Sequence, residues 1–211
     1  MGGIVRLPSA ETTANSYLIE EEGLVILIDV VRSADLICAE LSERKASLDR
    51  IILTHEHMDH VFGLEELRGR TGAPVISTAE CSTRMGDRRQ NLSLVYDMLV
   101  YAYTGTVTKK RHRPFTCSPA DITFDDRYCF EWIGHTFDIT RCPGHSPGSS
   151  IIIMDNTCAF TGDYLSKDTP DNLGLLGGSE EEYRTITEPW INSRLVPGMS
   201  VYPGHGKPYV L

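Results

Sequence analysis

Apolar positions along this chain alternate between short strand-like runs and helical stripes. Ser16 to Ile19 alternates weakly, Glu21-Glu22-Gly23 is a turn, and Leu24 to Ile28 is a continuous apolar strand ending at Asp29. Ser33 is placed as a helix N-cap, with Ile37, Leu41 and Leu48 on one face of a helix ending near Lys45 to Ser47. Arg50 to Thr54 returns as a buried strand, Leu64 to Arg68 belongs to a helix closed by Gly69, and Pro74 to Ser77 is a short strand. This strand–helix–strand–helix–strand order predicts an α/β layered fold.

The second half carries more strand. Cys129 to Ile133 and Thr136 to Thr140 flank Gly134-His135, a hairpin signal. Ser150 to Met154 and Cys158 to Thr161 are two strands around an Asp155-Asn156 turn. Glu180 to Leu195 reads as a last helix N-capped by Ser179, and Met199 to Tyr202 as a last strand. One stretch stands apart: Leu92, Tyr96, Leu99 and Tyr103 recur at helical spacing. It lies inside a basic segment holding Arg84, Arg88, Arg89, Lys109, Lys110, Arg111 and Arg113 against Glu80, Asp87 and Asp97. A helix with a solvated basic face is the plain reading; a lid, a substrate wall or a homodimer surface is the sharper one.

Composition narrows the class. With 211 residues the chain is most simply one domain, 1–211, with an atypical helical basic insert at about 80–116. A formal net charge of −9 disfavours nucleic acid or an anionic membrane as partner and leaves a small-molecule substrate. No secretory signal and no run of about 20 apolar residues is expected, so the default is a cytoplasmic protein without a membrane partner. Cys38, Cys81, Cys117, Cys129, Cys142 and Cys158 are dispersed without a C-x-x-C pair, which argues against a disulfide scaffold. Cys142 reads as buried strand or site wall rather than as a nucleophile.

The chemistry gathers in "ILTHEHMDHVFG", residues 52–63. His55, His57, Asp59 and His60 occupy six consecutive positions after a buried strand, on a loop that can converge them. Imidazole and carboxylate are the donors of zinc and similar divalent ions, three or four to an ion. Four candidates in so short a loop suggest more than one ion, completed from elsewhere. Three later motifs offer completion: "CPGHSPGS" with His145, "FTGDYL" with Asp163 and "YPGHGKP" with His205. Each follows a strand and carries glycine, which permits a sharp turn toward a common point. Only His112 and His135 are left for ordinary surface or turn roles.

In that order the motifs resemble the metallo-β-lactamase superfamily, and within it the glyoxalase II-like hydrolases. "NSYLIEEEGLVILID" is similar to the family's opening hairpin, and only residues 80–120 match no subfamily. The resemblance implies an α/β fold of the four-layer αβ/βα sandwich kind, with metals along one sheet edge. It implies that His55, His57 and His145 hold a first metal, that Asp59, His60 and His205 hold a second, and that Asp163 bridges them. The implied cofactors are two divalent ions, zinc first, with iron or manganese as alternatives. Asp29 stands where the family often has a carboxylate supporting a ligand, although Val30-Val31 replaces the usual Thr-Gly; a strand-terminal cap is the alternative.

Such a pair of ions implies hydrolysis of a thioester, ester or lactone of a small polar or anionic substrate. Asp59 would orient the nucleophile as well as bind metal. Tyr164 is a candidate to hydrogen-bond substrate, with a core tyrosine as the alternative. Glu56 and Met58 are expected to be spacers pointing away from the site. The chain stops six residues after His205, so the helical glutathione-binding domain of full-length glyoxalase II-type enzymes is not expected, and the basic segment is the visible replacement. Three competitors remain: a mononuclear-iron dioxygenase acting on persulfides through the residues corresponding to His55, His145 and Asp163, a metal-dependent nuclease, and a non-enzymatic member that uses its metals structurally. Flavodiiron chemistry is disfavoured because that group has glutamate where His57 stands.

Overall fold

The computed structural model describes residues 3–108, 111–167 and 173–211. Two six-stranded sheets stack face to face. The first runs in the order β1 (Ile4–Pro8), β2 (Asn15–Glu21), β3 (Leu24–Ile28), β4 (Ser47–Ile52), β5 (Val75–Thr78), β6 (Ile122–Phe124). The second reads β12 (Tyr209–Val210), β11 (Ser200–Pro203), β10 (Cys158–Gly162), β9 (Ser150–Met154), β8 (His135–Arg141), β7 (Arg127–Trp132). From β3 to β6 neighbouring strands are parallel, as are β10 and β11; the remaining pairs are antiparallel.

The continuous apolar strands are explained by burial on both faces. In β3, Ile26 and Ile28 face the opposite sheet with Ile52, Phe137, Ile152 and Phe160, while Val25 and Leu27 face helices. Those helices are α1 (Ala34–Arg44), which supplies Ile37 and Leu41, and α2 (Leu64–Thr71), which supplies Leu64 and Leu67. In β9 the same alternation sends Ile152 and Met154 inward and Ile151 and Ile153 outward. The outward pair packs on residues of a terminal helix: α5 (Glu180–Glu182), a π-turn at Tyr183–Thr187, then α6 (Glu188–Arg194). Helix, sheet, sheet and helix make the four expected layers.

Several boundaries differ from the sequence reading. Leu48 belongs to β4, not to α1, because Lys45 adopts φ 56° and ends the helix first. Gly69 lies inside α2, which Gly72 closes at φ 69°. His135 opens β8, so the hairpin turn is Ile133-Gly134. The last helix is N-capped by Ser179 as expected, but Pro189 near the start of α6 removes an amide from the ladder, and the helix passes through the π-turn just before it.

The basic segment opens with α3 (Ala79–Arg84) and continues through a 3₁₀ turn, Ser93–Val95, to α4 (Tyr96–Thr104). Leu92, at φ 63°, stands outside that helix although it packs with Tyr96, Leu99 and Val100. The side chain of Tyr103, and Lys109 and Lys110 altogether, lie outside the described residues. No helix among the described residues is long and apolar enough to cross a membrane.

Candidate metal centre

The two sheets present their motif-bearing strand ends along one edge, where backbone bonds tie neighbouring strand ends within each sheet and, through Ser150 and Asn15, cross between the sheets. Asp29 N–H donates to the Ile52 carbonyl (2.9 Å), Ser150 N–H to Thr54 (2.8 Å), Gly204 N–H to Gly162 (2.6 Å), and Asn15 N–H to Gly204 (2.7 Å). Two glycines have no room for a side chain here. A Cβ on Gly204 would lie 2.5 Å from Asp163 Oδ1, and one on Gly144, at φ 136°, would lie 2.7 Å from the Tyr183 Cβ. The turns before His205 and His145 therefore need glycine.

All seven sequence-predicted ligands meet at this edge. His55, His57 and His145 offer ligand atoms within 4.8 Å of one another, and so do His55, His60 and Asp163, and Asp59, His60 and His205. Asp163 lies between the groups. Its Oδ2 is 3.3 Å from His145 Nε2, 3.5 Å from His205 Nε2 and 4.0 Å from His55 Nε2, and its Oδ1 is 3.1 Å from His60 Nε2.

The donor set fits a metal. The Nε2 atoms of His55, His57 and His60 and the Oδ1 of Asp163 are buried and make no well-aligned hydrogen bond, His60 Nε2 and Asp163 Oδ1 only approaching each other at 3.1 Å. Orphaning one buried polar atom costs about 1–3 kcal/mol. Of these residues, His55, His60 and Asp163 fall in one ligand group, which a cation held there would satisfy; His57 brings its Nδ1 to 2.9 Å from His145 Nε2, so Nδ1 is the nitrogen on the His55–His145 side.

Three of the imidazoles, those of His55, His60 and His205, are oriented from behind. The Thr54 hydroxyl lies 3.0 Å from His55 Nδ1 and donates to Asp29 Oδ2 at 2.7 Å. Asp29 Oδ2 also accepts from His60 Nδ1 at 2.8 Å, while its Oδ1 accepts the Thr54 amide at 2.8 Å. Asp29 thus acts both as a cap on the strand end and as a support for His60. The Thr13 hydroxyl lies 3.1 Å from His205 Nδ1. Holding Nδ1 in this way fixes the ring and turns Nε2 toward the site.

Two electrostatic regimes share the centre. Burial drives His55 and His57 well below the ordinary histidine pKa, reinforced by His60 for the first and His145 for the second. For His60, burial acts to lower the pKa, but Asp163, Asp29 and Asp59 outweigh it and hold the group well above its usual value. Burial is likewise outweighed at His205, which Asp163 and Asp59 push up to about 10. Burial would raise Asp59 and Asp163, yet the imidazoles around them keep both below the usual carboxylate range, Asp163 far below.

One sequence expectation is corrected. Tyr164 is 1% exposed, and its hydroxyl donates to the Cys142 carbonyl at 2.8 Å and accepts the His145 amide at 2.7 Å. Its ring stacks on Tyr183 with centroids 5.6 Å apart. With the hydroxyl spent on backbone, Tyr164 positions His145 and does not face substrate. Cys142 is buried, and burial pushes its thiol up to about 12, which leaves it a poor nucleophile.

Glu56 and Met58 do point away, but neither is idle. Met58 packs with Leu92, Tyr96, Leu99 and Val100. Glu56 is fully buried, 2.7 Å from the Arg84 Nε, and accepts the Ser146 hydroxyl at 2.9 Å. It therefore ties the His55–His57 loop to the His145 loop and to α3. Arg84 accordingly leaves the solvated basic face on which the sequence reading put it. Thr13 and the Glu56 network carry no sequence signal, since their partners lie 192, 28 and 90 residues away.

His112, expected at an ordinary surface, is held between two acids. Its Nδ1 lies 2.8 Å from Asp97 Oδ1 and its Nε2 3.2 Å from Glu11 Oε2. Its ring stacks on Tyr96 at 4.2 Å and meets the edge of Phe62 at 5.9 Å.

Comparison with known proteins agrees with this geometry. The model of the metallo-beta-lactamase superfamily matches residues 10–205. A probable metallo-hydrolase of Streptococcus pyogenes is 26% identical over 196 residues, covering 91% of this chain and 78% of the relative. A hydroxyacylglutathione hydrolase of Cereibacter sphaeroides is 39% identical over 72 residues, 33% of this chain and 28% of the relative. Among solved structures, the BLEG-1 B3 metallo-beta-lactamase shares the fold with a TM-score of 0.82 at 23% identity, covering 99% of this chain and 94% of that one. A matching family model over nearly the whole length, around convergent histidine and aspartate donors, makes this chain a member of the metallo-beta-lactamase superfamily of metal-dependent hydrolases.

Proposed function

We propose that the chain hydrolyses a thioester, ester or lactone of a small polar or anionic molecule at a centre of two divalent ions. His55, His57 and His145 would hold one ion, Asp59, His60 and His205 the other, with Asp163 shared. When bound, such a pair supplies a hydroxide at neutral pH and a Lewis acid for a carbonyl oxygen.

The chain's own residues supply the rest. Neutral His55 and His57 present lone pairs without having to lose a proton, because burial has already removed it. Asp29, Thr54, Thr13 and Tyr164 fix ring and backbone orientation, so little reorganisation accompanies binding. Asp59, ionised and at the more open side of the centre, would accept a hydrogen bond from the attacking water and hold it in line.

The observation that carries the reading is the convergence of seven histidine and aspartate side chains into three overlapping ligand groups at one sheet edge, with the buried Nε2 of His55 left unpartnered. A hydroxyacylglutathione hydrolase among the relatives supports the thioester class, and zinc is the first expectation for this donor set. The second reading, one iron on His55, His145 and Asp163, draws on the 3.3 Å approach of His145 to Asp163. It is weaker because it gives no role to His57, Asp59, His60 and His205, which converge on the same edge. The test is a metal count on protein purified without added metal, followed by a thioester, ester and lactone panel. Two ions per chain with hydrolysis are expected; one iron with oxygen uptake would overturn the proposal in favour of the second reading.

A further inference from the structure

The arginines of this chain divide into two groups. Arg6, Arg32, Arg44, Arg50, Arg68, Arg70, Arg84, Arg127, Arg141, Arg184 and Arg194 each place the guanidinium on a partner. Those of Arg88, Arg89, Arg111 and Arg113 make no hydrogen bond or ion pair among the described residues. All four fall in the basic segment. In a protein with a net charge of −9, guanidinium groups left without an acid are not explained by a shortage of acids.

Arg111 and Arg113 differ from the other two in where they stand. With His112 and Pro114 they line a half-open cleft of about 350 Å³. The residue between them is anchored: His112 is clamped by Asp97 and Glu11 and stacked on Tyr96, and its backbone amide also donates to Asp97, at 3.2 Å. That clamp fixes the backbone carrying both arginines. It also uses up the two nearby carboxylates, so neither is left to neutralise the guanidinium groups.

The same clamp ties the cleft to the metal centre. Glu11 sits two residues from Thr13, whose hydroxyl meets His205, and Phe62, packed on His112 and Tyr96, sits two residues after His60. A molecule with its reacting carbonyl at the donor cluster thus has a pre-placed basic wall nearby. Guanidinium groups suit planar, bidentate pairing with oxyanions.

We infer that Arg111 and Arg113 form a recognition subsite for an oxyanion group, carboxylate or phosphate, that the substrate carries away from its reacting carbonyl. Only the word "substrate" rests on the hydrolase reading; the subsite itself can be tested without turnover.

The experiment compares wild type, the double variant Arg111→Ala/Arg113→Ala, and the double variant Arg88→Ala/Arg89→Ala. The last removes the same charge from unpaired arginines that do not line the cleft. With mono-4-nitrophenyl glutarate and 4-nitrophenyl acetate at fixed salt, the first double variant raises the ratio of anionic to neutral KM about ten-fold, the loss of one charged hydrogen bond. The second double variant leaves that ratio where it was. Equal effects of the two variants, or none from either, would overturn the subsite in favour of a diffuse basic face. Calorimetric titration with glutarate and with inorganic phosphate runs in parallel. Binding that Arg111→Ala/Arg113→Ala abolishes supports the subsite even if no ester is turned over, an outcome that would sink the hydrolase reading alone. Absence of binding to wild type, or equal binding by that variant, overturns the subsite with the hydrolase reading intact. The tighter of the two ions names the group.

Discussion

The two halves of the donor cluster are built on different physics. His55, His57 and His145 are at most 3% exposed, and His55 and His57 are neutral because burial makes them so. They are braced from within the core, by the Glu56–Arg84–Ser146 network and by the Tyr164 hydroxyl. Asp59 and His205 keep 14% and 15% of their side chains exposed, and with His60 and Asp163 they form a mutually charged set. This half is braced by Asp29 and by the loop carrying Thr13. A packed half and a charge-matched half respond to different perturbations, and that is how the comparison can be broken.

The largest effect falls on turnover and is the same for both halves. His57→Ala in the packed half and Asp59→Ala in the charged half should each bring hydrolysis to background while circular dichroism still reports a folded protein. A wild-type rate from either variant would defeat the proposed chemistry. Next comes Asp29→Asn, which weakens the grip on His60 Nδ1. Loss of such an outer partner costs about 10–100-fold in metal affinity. Competition with a chelator should show the larger loss for the ion of the charged half, because Asp29 meets His60 directly and His55 only through Thr54; equal weakening of both would erase the distinction between the halves.

For the packed half the corresponding brace is Glu56. Glu56→Gln leaves Arg84 facing a neutral amide, and breaking a buried pair costs about 3–5 kcal/mol. Arg84 keeps 13% of its side chain exposed, so solvent reduces the cost. About 2 kcal/mol is expected, or a fall of about 4–8 °C in Tm for a chain of this size. Metal affinity of the charged half should hardly move.

Chelated protein gives a pH test of the charged half. The His205 pKa is raised from its ordinary 6.5 to about 10 by Asp163 and Asp59. The stabilisation from that proton is complete below pH 6.5 and drains away as pH climbs through 10. Asp163, held far below its ordinary 3.8, contributes at pH above that value and loses its contribution on acidification. Thermal melts in chelator should therefore decline from pH 7 to 10, and His205→Gln should flatten that limb. With metal restored the slope should weaken or reverse, because the ion needs His60 and His205 unprotonated and competes with their protons. A limb that His205→Gln leaves unchanged would place the titration elsewhere.

What could be read from the sequence follows from how local each signal is. His55, His57, Asp59 and His60 announce themselves because polar donors seldom crowd the end of a buried strand, and His145, Asp163 and His205 because glycine turns accompany them. The layered fold was legible in runs such as Leu24 to Ile28, whose two faces both meet apolar neighbours. Long-range contacts left no such trace. Nothing in "PSAETTAN" indicates that Thr13 reaches His205 or that Glu11 reaches His112. Helix periodicity also misled at Leu92, where the apolar spacing continues through a residue whose φ of 63° excludes it from α4. Arg84 reads as surface charge in the sequence because its partner, Glu56, reads as a spacer.

Tyr164 separates position from chemistry, and its effect on rate should be the smallest. A hydroxyl touching the reacting atoms would cost a large factor in kcat on removal while sparing stability. The observed hydroxyl is buried between the Cys142 carbonyl and the His145 amide. Tyr164→Phe keeps the ring stacked on Tyr183 and deletes only that bridge. The orphaned amide costs about 1 kcal/mol or somewhat more, so Tm should fall by a few degrees while kcat drops by less than about ten-fold. KM should hold, since the ring has no route to substrate. A hundred-fold loss of kcat at unchanged Tm would show instead that the hydroxyl turns toward the reaction when substrate is bound. In that case the brace on His145 would have to come from the Glu56–Ser146 side alone.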